Sequence, residues 1–203
     1  MERQSCLTER AVPVVADASV LINLNATKCA ETILDALPNP FLVVSEVILE
    51  LKGGEQTGRN DAAAVDAWQA SGHVQVVQLG DTGMKHFASL VSGPVAQTLD
   101  DGEAATIACA LELKPYAIPL IDERKANRIC AARFAGLVTG STVDLLAQDD
   151  VRAALGCVRL ADAVFNALHD GRMRVLPHHL KWIVGLIGPE RARQCRSLPR
   201  SVR

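Results

Sequence analysis

Aromatic side chains are scarce in this 203-residue chain, which has one tyrosine, two tryptophans and four phenylalanines. So few rings exclude a stacking platform for single-stranded bases. An excess of one charge is lacking too: the formal net charge is −2, so any grip on nucleic acid is local rather than through the overall field. No apolar run approaches the roughly 20 residues of a spanning helix. The opening MERQSCLTER has no apolar core of the kind that marks a secretory signal. The sequence therefore predicts no membrane contact and a cytoplasmic location. Zinc and disulfide patterns are also missing. Cys6, Cys29, Cys109, Cys130, Cys157 and Cys195 are scattered, with no CxxC or Cys/His pair at zinc spacing, which predicts free thiols. His169, His178 and His179 lie outside the alternating part of the chain, and adjacent histidines are not zinc spacing.

What is present is an alternation of short apolar runs with helical patterns. VPVVAD, FLVVS, VQVVQL and YAIPLID read as strands, with Pro119 favouring an edge or strand-end position. LVTG reads as a further, very short strand. Helical patterns separate them: SEVILELKGG stopped by Gly53 and Gly54, a segment between Thr57 and Ser71, Thr82 to Val91, EAATIACALEL, ERKANRICAARFAG with Gly136 as its stop, and STVDLLAQ capped by Ser141 or Thr142. The predicted fold is α/β, with three α/β/α layers around a mostly parallel sheet, plus C-terminal helices. Residues 12–150 form the expected main domain, 151–190 a helical extension, and 191–203 a basic, disordered tail carrying Arg191, Arg193, Arg196, Arg200 and Arg203.

Four carboxylates stand out because each follows an apolar run and opens a helix or lies just inside one. They are Asp17, Glu50, Glu103 and Asp122. In an open α/β sheet such positions gather at the carboxyl edge of the strands, where ligands bind. Two unit charges about 4 Å apart repel by on the order of 4 kcal/mol at an effective dielectric of about 20, and a divalent cation relieves this. Glu46 shares a helix face with Glu50 and is its alternate, although the helix dipole already gives it a structural reason. Asp101 is the alternate to Glu103 in the DDGE cluster. Asp17 read alone is an N-cap, and Glu123 a helix start that faces water.

At these residues the sequence resembles the PIN domain, the nuclease fold of VapC-type toxins, over roughly residues 12–148. VVADASVLINL is similar to its first motif, EVILEL to the helix bearing the second acid, and DGEAATIACAL to the third. PLIDERKANRICAARFAGLVTGSTVDLL is similar to the fourth acid with its downstream helix, strand and glycine turn. The resemblance implies that Asp17, Glu50, Glu103 and Asp122 are the catalytic, metal-binding set, with Ser19 and Thr142 as supporting polar residues. The chain departs from the family in its third acid, a Glu in a GE context, and in its length after Asp150.

The resemblance implies a nuclease that uses Mg2+ or Mn2+ to hydrolyse RNA. It admits a role as the toxin of a toxin–antitoxin pair, with a small antitoxin partner, and pairing into a homodimer. Arg124 and Arg128, four apart on one helix, are candidates to receive RNA phosphates, against the alternative of a solvated face. The stripe Leu180, Trp182, Ile183, Leu186 and Ile187 suits either a partner or the chain's own domain. Two other classes stay open: a PIN fold serving as a binding module without cleavage, and a phosphatase of another doubly wound fold. The second lacks the Asp two residues after Asp17 that common aspartyl-phosphate phosphatases use.

Overall fold

The computed structural model describes Leu7 and residues 11–55, 59–113 and 116–202. Cys6, Thr57 and Arg203 lie outside the described residues. Four strands form one all-parallel sheet: β1 (Val14–Ala16), β2 (Phe41–Val44), β3 (Gln75–Val77) and β4 (Ile118–Leu120), in the spatial order β3-β2-β1-β4. Val14 lies opposite both Phe41 and Ile118, and Leu42 opposite Gln75. β1, β2 and β4 read as unbroken apolar runs because both faces of the sheet are covered there, whereas the edge strand β3 starts at an exposed Gln75 and is half-buried. Val14, Ala16, Phe41, Val43, Ile118 and Leu120 enter one core, while Val15, Leu42 and Val44 enter the other.

Helices α1 (Ala18–Ala26), α2 (Ala30–Ala36), α3 (Ser45–Glu55) and α4 (Asp61–Ala70) contribute to the first core, joined by α8 (Thr142–Leu146), α9 (Asp149–His169), α10 (Leu180–Ile187) and α11 (Pro189–Gln194). Helices α5 (Asp81–Val91), α6 (Asp101–Glu112) and α7 (Arg124–Arg133) build the second. The expected three-layer α/β/α fold is thus the one observed. From β1 the chain first builds the sheet toward β2 and β3, then crosses back to place β4 on the other side. The carboxyl ends of β1 and β4 therefore flank the point where strand order reverses, and an open α/β sheet leaves its crevice there.

Several local expectations give way. LVTG forms a single bridge, Leu120 to Gly140, instead of a strand. Extending that ladder backward needs an N–H from residue 119, and Pro119 has none. Gly53 and Gly54 do not stop α3, which runs on to Glu55; a helical glycine costs only about 1 kcal/mol against alanine. Helix α7 ends before Gly136, at Arg133, with the Phe134 N–H closing onto Cys130 O.

No break in packing falls at residue 150. Helix α9 begins at Asp149 and lies across α1 and α2, with Leu155, Leu160, Val164 and Leu168 buried in the same core as β1. The expected disordered tail is ordered through Val202: Ala192, Cys195 and Leu198 are buried in that core, and Ser197 Oγ donates to Leu168 O at 3.1 Å. These small and apolar residues between the arginines supply the burial that a fraying end lacks. Ile183 and Ile187 of the C-terminal stripe are also buried, against the chain's own domain. The five described cysteines are free thiols. Among the described residues, no helix is long and apolar enough to cross a membrane.

Candidate active site

Asp17 directly follows β1 and caps α1, taking hydrogen bonds from Ser19 Oγ at 2.9 Å and from the Ser19 N–H at 3.4 Å. Its carboxyl is buried. Burial raises its pKa against the lowering effect of the Ser19 hydrogen bond, and the nearby Asp100 raises it further.

Asp122, two residues past β4, is fixed by three donors. Asn23 Nδ2 reaches Oδ2 at 2.7 Å, Thr142 Oγ1 reaches Oδ2 at 2.6 Å, and the Thr142 N–H reaches Oδ1 at 2.9 Å. Such bonds favour the ionised form. Burial outweighs them and, with Asp17 adding, pushes Asp122 up to about 6. Thr142 is available because Ser141 caps α8 through a reciprocal bond with Asp144, leaving the first N–H of that helix for Asp122.

Glu103 and Glu50 complete the ring. Asp100 Oδ1 accepts from the Glu103 N–H at 2.9 Å and so caps α6, which holds Glu103 in the first helical turn. Burial first, then Asp100 and Asp17, push Glu103 up to about 7, with Lys125 opposing. Glu50 has a more exposed side chain but turns its carboxyl inward, and burial, Asp17, Asp100 and Asp101 push it up to about 7. The inward turn depends on Gly102. A Cβ there would collide with Glu50 Oε2 and lie 3.4 Å from Asp17 Oδ1, so two carboxylates approach one backbone position that only glycine leaves open.

These four acids line one cavity of about 350 Å³, together with Ser19, Asn23, Asp100 and Glu123, which borders the cavity instead of facing open water. Thr142 acts from behind Asp122 without lining the cavity. The alternates Glu46 and Asp101 do not line it either. Arg124 and Arg128 are exposed on α7 and are not part of the cavity wall; the arginines that are part of it are Arg59, Arg172 and Arg174. Asn23 and Asp100 were missed by sequence reasoning, although Asp100 has an N-cap signature before GEAA. The three arginines give no local motif and are found only through the fold.

His179 is buried away from the cavity, with Nε2 3.1 Å from Ser141 Oγ and 3.4 Å from Asp144, while His169 pairs with Asp170 on the surface. Among the described residues, no three His, Cys, Asp or Glu side chains stand as a ready-closed metal-holding group. The acids ring the cavity; burial first, and then the charges of Asp100 and Asp17, raise the pKa of these carboxyls. An all-oxygen donor set of this kind fits a hard divalent cation, which would bring the carboxylates inward and offset their charge.

A parallel α/β sheet whose reversal point opens onto a ring of acids places a candidate cation-binding site in the crevice where such folds take their ligands. The profile of the PIN domain family matches residues 13–188, and the chain belongs to that family. PIN domains are generally nucleases and typically use divalent metal ions. The match runs through the C-terminal helices as far as Gly188, in keeping with their place in the shared core. No curated protein and no solved structure matches the chain.

Proposed function

We propose that this protein is a divalent-metal-dependent nuclease that hydrolyses RNA phosphodiester bonds, with Asp17, Glu50, Glu103 and Asp122 as its site. One observation carries the reading: acids from four separate elements converge on a single cavity at the strand-order reversal, with their carboxyls held at raised pKa by burial and by one another.

Asp17 and Asp122 are the buried anchors, each held by hydrogen bonds and each lining the cavity. They and the two glutamates would hold Mg2+ or Mn2+. When bound, the ion supplies charge neutralisation at the phosphoryl oxygens and a more acidic water. Glu50 and Glu103, pushed up to about 7 by burial first and then by neighbouring acids, would give up their protons on taking the ion and complete its carboxylate set. Ser19 and Asn23 keep the anchors in register by hydrogen bonding, and Thr142 fixes Asp122 from the far side.

Digestion of total RNA tests this reading. Wild-type protein with Mg2+ or Mn2+ is expected to fragment RNA, chelation to stop it, and Asp17→Asn to abolish it while circular dichroism stays unchanged. No fragmentation of varied RNAs with either ion sinks the nuclease reading and leaves a PIN-fold binding module. Turnover of a small phosphate ester without RNA cleavage points to a phosphatase instead. A toxin role extends the proposal to a small protein partner that covers the acidic cavity and suppresses cleavage. Co-expression with the product of any short adjoining reading frame, followed by the same digestion, tests that extension.

A further inference from the structure

The wall facing the acids is basic. Arg59 precedes α4, and Arg172 and Arg174 lie in the segment after α9; all three line the cavity beside Gly171. Residues 172–175 alternate, with Arg172 and Arg174 exposed and Met173 and Val175 buried, so the core side of the segment is fixed and the arginine side is open. The Met173 N–H donates to Ala167 O at 2.9 Å. A Cβ on Gly171 would come within 2.8 Å of both Ala167 O and Asn23 Oδ1, so only glycine lets this segment press against α1 next to the Asp122 anchor.

The three arginines differ in their partners. Arg174 pairs with Glu123, and Arg59 Nε donates to Asp61 Oδ2 at 2.8 Å. Among the described residues, no ion pair or side-chain hydrogen bond engages the Arg172 guanidinium. Arg172 also sits in the left-handed region, at φ 57°. Past Arg59 and Arg172 a second cavity of about 400 Å³ opens. Both arginines, Ile22 and Gly171 belong to the two cavities alike, and Asn25, Asn60, Asp61 and Asp170 line the far one, Asp61 paired with Arg59 and Asp170 with Lys28 and His169. The two cavities therefore adjoin at the guanidinium groups, with the four acids on one side and amides beside ion-paired carboxylates on the other.

We propose that Arg59 and Arg172 form a phosphate-holding subsite that seats the backbone of a single-stranded nucleic acid beside the acids and directs the strand into the second cavity. The proposal rests on the nuclease reading and names the residues that orient its substrate. An unpaired guanidinium at the junction of two cavities matches the fork geometry of a phosphate. Neutralising the acids does not account for all three arginines, because Arg59 and Arg174 have carboxylate partners outside the four-acid set. With aromatic residues so scarce, a strand is held by its phosphates and by amide contacts to its bases, in place of ring stacking.

The test is binding of a short fluorescein-labelled single-stranded RNA to the full chain in EDTA, followed by fluorescence anisotropy over a salt series. Arg172→Gly suits the left-handed backbone, so its melting temperature should not fall. It is expected to weaken binding several-fold and to flatten the plot of log affinity against log salt by about 0.7, the loss of one single-strand phosphate contact. Arg172→Lys should retain most of the salt slope. Mn2+ binding by Arg172→Gly should stay within about twofold of wild type, since the arginine is not a ligand, whereas Asp17→Asn should lose it.

Unchanged RNA affinity and salt slope in Arg172→Gly overturn the subsite, and if wild type still cleaves RNA, the nuclease reading survives. Arg172-dependent binding without cleavage under any divalent ion upholds the subsite and removes the nuclease reading. Displacement of the RNA by inorganic phosphate at concentrations equal to that of RNA phosphate overturns the strand assignment in favour of a free-anion site.

Discussion

Thr142 grips Asp122 twice, its N–H donating to Oδ1 at 2.9 Å and its hydroxyl to Oδ2 at 2.6 Å. The two residues are 20 positions apart and both are buried, so the start of α8 works as a clamp on the carboxyl end of β4. Thr142→Val keeps the shape and the N–H bond but removes the hydroxyl. The expected result is a loss of about 1–2 kcal/mol of stability, because a hydrogen bond to a buried carboxyl is broken. Metal affinity should fall about 10- to 100-fold, as for other groups that orient a ligand. Thr142→Ser should restore most of both. Thermal melts and Mn2+ titrations of the three proteins check this.

Gly102→Ala separates folding from function. The new methyl would collide with Glu50 Oε2, the far end of a flexible side chain, and not with backbone. The carboxyl swings away and the fold stands. Alanine in a helix is favoured over glycine by up to about 1 kcal/mol, so the melting temperature should hold or rise while RNA cleavage drops at least about tenfold. Equal activity in the variant would show that Glu50 is not needed at the cavity.

Stability should fall as pH rises. Glu50 and Glu103 go from 4.5 to about 7, and Asp122 from 3.8 to about 6, on folding. Between these values the folded chain holds protons that the unfolded chain has released, so the slope of stability with pH is negative. The contribution is complete below about pH 4 and is lost by the time pH has risen through about 7. Metal-free melting temperatures should therefore decline across this window, and Mg2+ or Mn2+ should flatten the decline by stabilising the ionised carboxylates. A metal-free curve that rises from pH 4 to 7 would contradict carboxyls raised by burial and by their acidic neighbours.

The C-terminal segment should behave as part of the core. Truncation after Gly188 removes Ala192, Cys195 and Leu198, all buried, and the Ser197 bond to Leu168. Stripping buried side chains of this size from a shared core costs at least about 2 kcal/mol. A melt of the truncated chain unchanged from full length would make the segment dispensable.

The strands and the four acids were legible in the sequence because both obey local rules: apolar runs of strand length, and a carboxylate at each break. Pro119 favoured an edge or strand-end position, and it lies in the middle of an edge strand. The remaining features depend on contacts between distant parts of the chain. Arg124 and Arg128 have helical spacing and proximity to Asp122, yet α7 turns them to solvent. Arg59 and Arg172 are 113 positions apart and meet only because α9 lies back across α1. The arginine-rich tail looked disordered because its charge masked the buried Ala192, Cys195 and Leu198, whose partners lie on other helices. Gly102 stands in the DDGE cluster, but its part in admitting Glu50 is a matter of packing between α3 and α6.

Calorimetric titration of Mn2+ into the metal-free chain at about pH 7, in two buffers of different ionisation enthalpy, tests the shared acidic site most directly. The four-acid account expects saturable binding with proton release, since carboxyls held near 7 must ionise to take the ion, and at least a tenfold loss of affinity in both Asp17→Asn and Asp122→Asn. Absence of binding by the folded wild-type chain, or wild-type affinity in both variants, would contradict it.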